Sequence, residues 1–181
     1  VIGDPDYLDA AARTLGLAVR TARIDSPDEA PARFHDALPV VPEVLSVPSI
    51  PGQPDGRNAR HVVRAIDRAV EFVRSGRASS LVTNPIHKGV LYETGFRHPG
   101  HTEYLAHLAG GGAHPVMMLA CRELRVVPVT VHLSLADAVR ALDSASIIRC
   151  AEITAAALVR DFGIENPVLA VAGLNPHAGE S

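Results

Sequence analysis

Apolar runs of strand length alternate with helical patterns from one end of the chain to the other. Val1-Ile2-Gly3 reads as a strand. Asp4-Pro5-Asp6 reads as an N-cap with Pro at the first helical position, opening a helix through Leu15 that Gly16 closes. Leu17 to Val19 is a short strand candidate. From Pro27 to Arg57 there are seven prolines and little periodicity, which predicts extended, loop-rich chain with an edge strand around Val40 to Val47. Asn58 to Ser75 then places Val62, Val63, Ile66, Val70 and Val73 at helical spacing with Arg and Asp opposite, and Gly76 ends the helix.

Ser80-Leu81-Val82-Thr83 is patterned as a buried strand running into Asn84-Pro85-Ile86-His87-Lys88. A helix from Thr102 to Leu108, capped by Thr102, is followed by Gly110-Gly111-Gly112, read as a flexible turn because it lacks the strand-before, helix-after setting of a dinucleotide fingerprint. Val116 to Ala120, Arg125 to Val131 and Val168 to Ala172 are further strand candidates, and Ser144 to Arg160 is a long helix. Strands separated by helices imply βαβ units and a largely parallel sheet, an α/β fold. The shift from the Pro-rich first part to regular alternation places a domain boundary between about Ser80 and His101, taken as residues 1–95 for a first α/β domain and 96–181 for a second.

Composition narrows the classes. With 47% hydrophobic and 20% charged residues the chain is patterned for a packed core, and no apolar run approaches the roughly 18 residues of a membrane span. Lys and Arg number 17 against 20 Asp and Glu, a net charge of −3, without the basic surplus that favours nucleic acid. Two cysteines, Cys121 and Cys150, make neither a zinc ribbon nor a disulfide framework, and with Met117 and Met118 they fit a buried core. A reducing cytoplasm is the expected location. The chain opens on Val1 and stops at Ser181 inside what reads as a strand-to-helix loop, so we expect it to be part of a longer protein.

In open α/β sheets ligands lie beyond the carboxyl ends of the strands. Runs of unusual composition follow three of the expected strands: Thr83 to Lys88, Thr130 to Ser134, and Gly173 to Glu180. His132 and His177 at such strand ends are able to hold one divalent ion, or else act as ordinary capping and hydrogen-bonding residues; two imidazoles do not complete a three-ligand catalytic site. His101-Thr102-Glu103 at a helix start is either a grip for a carboxylate or phosphate or a plain cap. Lys88 with His87 is a second place for phosphate, or simply a solvated cation.

Taken together, Val82-Thr83-Asn84-Pro85-Ile86-His87-Lys88, Gly100-His101-Thr102-Glu103, Val116-Met117-Met118-Leu119-Ala120, Glu123-Leu124-Arg125-Val126, Val131-His132-Leu133 and Leu174-Asn175-Pro176-His177-Ala178-Gly179-Glu180 carry a stronger signal. In order and spacing they resemble the 4-hydroxythreonine-4-phosphate dehydrogenase family of pyridoxal phosphate biosynthesis. The match runs through most of residues 80–181 and is looser before, resting on Gly3-Asp4-Pro5 and the helix after it. Asn84, where Gly is common in the family, and Ser134, where Pro is common, are mild departures.

The resemblance implies two α/β/α domains like those of the isocitrate and isopropylmalate dehydrogenases, and a homodimer. It implies NAD- or NADP-dependent oxidation and decarboxylation of 4-phosphooxy-L-threonine, a phosphorylated hydroxy-amino acid, to 3-amino-2-oxopropyl phosphate. A divalent ion (zinc, magnesium or cobalt) takes part. By matching position His132 and His177 are two of the family's three metal-binding histidines, and His101 and Thr102 its substrate-binding pair. The third histidine, and the Lys, Asn and Arg that complete the substrate site, would lie beyond Ser181. Rival readings are a sister dehydrogenase for a phosphorylated sugar acid or an aromatic cis-diol carboxylate, a metal-dependent hydrolase, and a non-catalytic homologue.

Overall fold

The first helix forms where its cap predicts. In the computed structural model of the protein, which describes residues 1–175 and 177, one carboxylate oxygen of Asp4 accepts from the Asp6 and Tyr7 amides at 2.9 and 3.2 Å and caps α1 (Pro5–Thr14). Pro5 sits where a missing N–H is harmless, and Gly16 turns the chain away at φ +66°. The second Asp4 oxygen accepts from the Leu45 amide at 2.9 Å, tying the helix start to a distant loop. Burial pushes this carboxyl up, but the amides of Leu45, Tyr7 and Asp6 and the nearby Arg23 outweigh it and hold it below the usual aspartate value.

Asp4→Ala is therefore expected to destabilise the protein by about 1–2 kcal/mol, because it removes a cap and the Leu45 tie together. Asp4→Asn keeps a capping oxygen but loses the charge. Since the folded-state carboxyl is depressed, the advantage of Asp over Asn exists above about pH 4 and disappears as the pH falls through the lowered folded value. Urea denaturation of the three proteins at neutral and acid pH reads both effects.

Two compact units make up the chain, Val1–Ala113 and His114–Ser181. In the first, β1 (Ile2–Gly3), β2 (Thr21–Arg23) and β3 (Leu38–Pro42) form a parallel sheet in the order β1-β3-β2. The expected edge strand near Val40 is thus the central one, and its two prolines explain how. Leu38 donates toward β2, to Arg20 O, while Val41 and Glu43 donate toward β1, to Val1 O and Gly3 O. Pro42 holds the position of a further donor to β2 and stands where that ladder ends; Pro39 precedes the first amide given to β1. Val40 and Val41 are left free to bury both faces.

Phe72 of α3 (Ala59–Arg74) packs on Ile24 and Val41, with Ile2, Ala30 and Ala78 around them. The inward face of α3 differs from the aliphatic stripe expected: Ala59, His61, Ile66 and Phe72 are buried, whereas Val62 is exposed. A short α2 (Ala30–Arg33) precedes β3, and α4 (Lys88–Glu93) and α5 (His101–Ala109) complete this unit. The second unit holds the antiparallel pair β4 (Leu119–Ala120) and β5 (Arg125–Val126), then α6 (Leu135–Ala141) and α7 (Ser144–Phe162). Helix α7 buries Cys150, Thr154 and Leu158 at a spacing of four, one face of the helix. Cys121 and Met117, expected in the core, are exposed.

Several expected strands do not form. The strand before β3 lies at Thr21–Arg23, with Leu17 and Val19 exposed before it. Residues 80–83 and 168–172 are not strands, and Val82 and Val168 are 93% and 92% exposed. A strand exists through its neighbour's amides and carbonyls, and among the described residues these apolar segments have no neighbouring strand. The expectation of two isocitrate/isopropylmalate dehydrogenase-like α/β/α domains is overturned for the same reason. The protein is α/β, but its described strands make one small parallel sheet and one short antiparallel pair. Among the described residues no helix is long and apolar enough to cross a membrane.

Candidate functional site

Helix α5 starts at His101, with Gly100 rather than Thr102 as its N-cap; Thr102 is the second helical residue, and no side chain caps the end. The first intrahelical donor is Tyr104, to Gly100 O at 3.2 Å, so the amides of His101, Thr102 and Glu103 precede the hydrogen-bonded turn. Lys88 is the first residue of α4, where the His87 ring nitrogen accepts from the Val90 amide at 3.3 Å. A Cβ placed on Gly100 would lie 3.3 Å from both Lys88 Nζ and Glu103 Oε2. The two charged groups therefore crowd over the backbone that leads into His101.

His101 Nε2 is buried and has no hydrogen-bond partner among the described residues. Leaving such a group unsatisfied costs about 1–3 kcal/mol, and native structures tolerate it mainly where a ligand or water completes the pairing. The helix that carries it is firmly held. Tyr104 donates its hydroxyl to Asp67 of α3, and burial followed by that carboxylate pushes the phenol above its ordinary value. The Phe96, His98 and His107 rings gather beside it, with neighbouring centroids 4.9–5.3 Å apart.

His132 and His177 belong to the second unit. Among the described residues His132 is the only non-glycine at positive φ, 59°, two residues before Ser134 caps α6 by accepting from the Asp137 amide. His177 is exposed, and its amide donates to Asn175 Oδ1 at 2.9 Å. Parallel strands ending at these histidines do not form: β5 stops at Val126 and pairs antiparallel with β4, and residues 168–172 are not a strand. Among the described residues no three metal-ligating side chains come together. The two imidazoles are the right donors for a zinc-like ion, one short of a catalytic three-ligand set. Of the Asn-Pro-His-Ala-Gly-Glu motif, Pro176 and residues 178–181 lie outside the described residues.

The most connected polar cluster of the first unit was not singled out from the sequence. Glu43, 4% exposed, accepts from His61 Nδ1 at 2.7 Å, and His61 Nε2 faces Ser46 Oγ at 2.8 Å. A histidine on the inward side of an otherwise apolar helix was the available signal.

The sequence model of the family described as pyridoxal phosphate biosynthetic protein PdxA matches residues 1–181. The chain belongs to this family. It is 49% identical over 187 residues to the 4-hydroxythreonine-4-phosphate dehydrogenase of Methylorubrum populi, covering 100% of this chain and 53% of that protein. Crystal structures of 4-hydroxythreonine-4-phosphate dehydrogenases from Burkholderia phymatum and Klebsiella pneumoniae match with TM-scores of 0.84 and 0.87 at 36% and 32% identity, each covering 99% of this chain and 54% of its own. The chain spans about half the length of the curated relatives it matches. The likeness is to the PdxA fold with its small sheets, which replaces the isocitrate/isopropylmalate dehydrogenase-like pair of domains expected from the sequence.

Proposed function

We propose that this PdxA-family protein carries out the reaction for which its relatives are named: NAD- or NADP-dependent oxidation and decarboxylation of 4-phosphooxy-L-threonine to 3-amino-2-oxopropyl phosphate. The observation that carries this reading is the buried, unpartnered Nε2 of His101, at a helix start beside Lys88. The free amides of the first turn and the helix dipole favour a carboxylate or phosphate there, and Lys88 adds a full positive charge. His101 supplies one directional hydrogen bond to the anion or to the adjacent hydroxyl, and Thr102 a second polar group at the same helix start. Seating the substrate gives the imidazole, which has no partner among the described residues, a hydrogen bond, and that pairing favours binding.

His132 and His177 are proposed to hold the divalent ion (zinc, magnesium or cobalt), which when bound supplies Lewis-acid stabilisation of charge on the substrate oxygen, while the nicotinamide accepts hydride. A homodimer in the cytoplasm is the expected setting, its assembly readable by light scattering.

The test uses the purified full-length protein with 4-phosphooxy-L-threonine, nicotinamide cofactor and metal, following reduced nicotinamide. His101→Ala is expected to lower kcat by about 10²–10³, the effect of deleting one well-placed hydrogen-bonding group, with metal content near wild type. Wild-type turnover in the variant, or loss of its metal, overturns the assignment. Turnover only of a phosphorylated sugar acid or an aromatic cis-diol carboxylate would replace the substrate and keep the site.

A further inference from the structure

A cavity of about 990 Å³ in the first unit is lined by Ser46, Arg57, Arg60, Arg64 and Arg97, with Phe96 on its apolar wall. Ser46 Oγ stands in line with a buried acid and an imidazole: Oγ to His61 Nε2 is 2.8 Å, and His61 Nδ1 to Glu43 Oε1 is 2.7 Å. Two neighbours fix the tautomer. The Glu43 carboxylate can only accept, so Nδ1 carries the proton; Arg60 Nε can only donate, and it approaches His61 Nε2 at 3.2 Å, so Nε2 offers its lone pair. The Ser46 hydroxyl, the nearer of the two at 2.8 Å, donates to that nitrogen and shares its single lone pair with Arg60 Nε, the polarity a general base needs to take its proton.

The loop that carries Ser46 is held in place. Asn58 Oδ1 accepts from the Ser46 and Val47 amides at 3.0 and 3.1 Å, and its Nδ2 donates to Val47 O at 2.9 Å. Those amides are consumed, so they make no oxyanion hole. Arg60 stands in that place: its Nη2 donates to Ser46 Oγ at 2.8 Å, next to the atom that would attack. Arg57 is already tied to Asp55, and Arg64 lies 3.6 Å from Glu43, whereas Arg97 has no ion pair among the described residues. The cavity wall carries more guanidinium charge than its neighbouring carboxylates cancel.

We propose that Ser46, His61 and Glu43 form a nucleophilic serine relay that hydrolyses carboxylic esters whose acyl part bears an anionic group. Ser46 Oγ attacks the acyl carbonyl carbon as its proton passes to His61 Nε2, with the oxyanion facing Arg60. The carbon–oxygen bond to the alcohol breaks and the alcohol leaves with that proton, giving an acyl-serine. Water, deprotonated by the same nitrogen, cleaves the acyl-serine to the acid and regenerates the hydroxyl. One ester and one water give one acid and one alcohol, with no redox partner. The activity is independent of nicotinamide and metal, and so separate from the dehydrogenase reading.

The experiment treats the protein with a fluorophosphonate probe and maps adducts by peptide mass spectrometry, then measures hydrolysis of 4-nitrophenyl 4-carboxybenzoate, whose carboxylate cannot reach its own ester, against 4-nitrophenyl benzoate. The expected results are an adduct on Ser46, at least about tenfold preference for the carboxylated ester, and loss of both adduct and turnover in Ser46→Ala, an exposed position, with its folding checked by circular dichroism. His61→Gln, with its folding checked by circular dichroism, is expected to slow labelling by about 10²-fold or more, the contribution of a general base. No adduct on Ser46, or ester hydrolysis unchanged in Ser46→Ala, overturns the proposal whatever His61→Gln does.

Discussion

Replacing His132 or His177 by Ala is expected to abolish metal-dependent oxidation in the full-length protein and to lower bound metal, measured by elemental analysis after dialysis. Losing either imidazole from a three-histidine set leaves the ion too few protein ligands to be held against water. His132 offers a sharper variant. Its φ of 59° lies in the left-handed region, where an L-residue other than glycine is disfavoured by about 1–2 kcal/mol. A backbone held there at that cost is the kind of local strain found where a side chain has a task. His132→Gly therefore ought to lose the metal while its folding stability stays level or rises by up to about 1 kcal/mol. A variant that is less stable yet binds metal as wild type does would mean that the imidazole serves the fold instead.

The elements that could be read from the sequence are those whose causes are local. Asp4, Pro5 and Gly16 enclose α1 by themselves, and Gly76 follows α3 at φ +75° because the helix ends there whatever surrounds it. Gly110, Gly111 and Gly112, read as a turn, all lie at positive φ, between 65° and 72°. Strands depend on something else in the chain. Residues 80–83 carry as good a strand pattern as β3 does, yet β3 has a parallel neighbour on each side and residues 80–83 have none among the described residues. Pattern reports which face could be buried, and only pairing makes it a strand.

The candidate site divides along the same line. Gly100, His101, Thr102 and Glu103 lie together in sequence and so remain together at the start of α5, and Lys88 joins them over Gly100. His132 and His177 are 45 positions apart, and only tertiary structure can bring such residues to one point. The same holds for Glu43 and His61, 18 residues apart, one following the central strand and the other in the first turn of α3. Nothing in the apolar period of α3 distinguishes a buried histidine from an exposed one until the carboxylate beneath it is known.

That pair sets the largest stability effect expected of a single change in the first unit. Glu43 is 4% exposed and His61 6%, so water does little for either group, and each depends on the other for its short hydrogen bond. His61→Leu strands the carboxylate, leaving it among the described residues only Arg64 at 3.6 Å and Arg68 at 3.9 Å, and Arg68 is already engaged at 2.7 Å with Pro42 O. Breaking a buried pair from one side destabilises by about 3–5 kcal/mol, and the two remaining guanidinium groups bring this change toward the lower figure. Glu43→Leu should do less harm, since it leaves a neutral imidazole with one unpaired N–H rather than a buried charge, about 1–3 kcal/mol. The double variant Glu43→Leu/His61→Leu should recover most of the loss, because no buried polar group is then left without a partner. Guanidinium denaturation of the four proteins gives the coupling directly. Additive losses in the double variant would show that Glu43 and His61 stabilise the sheet–helix packing independently, through the volume they fill rather than through the bond between them.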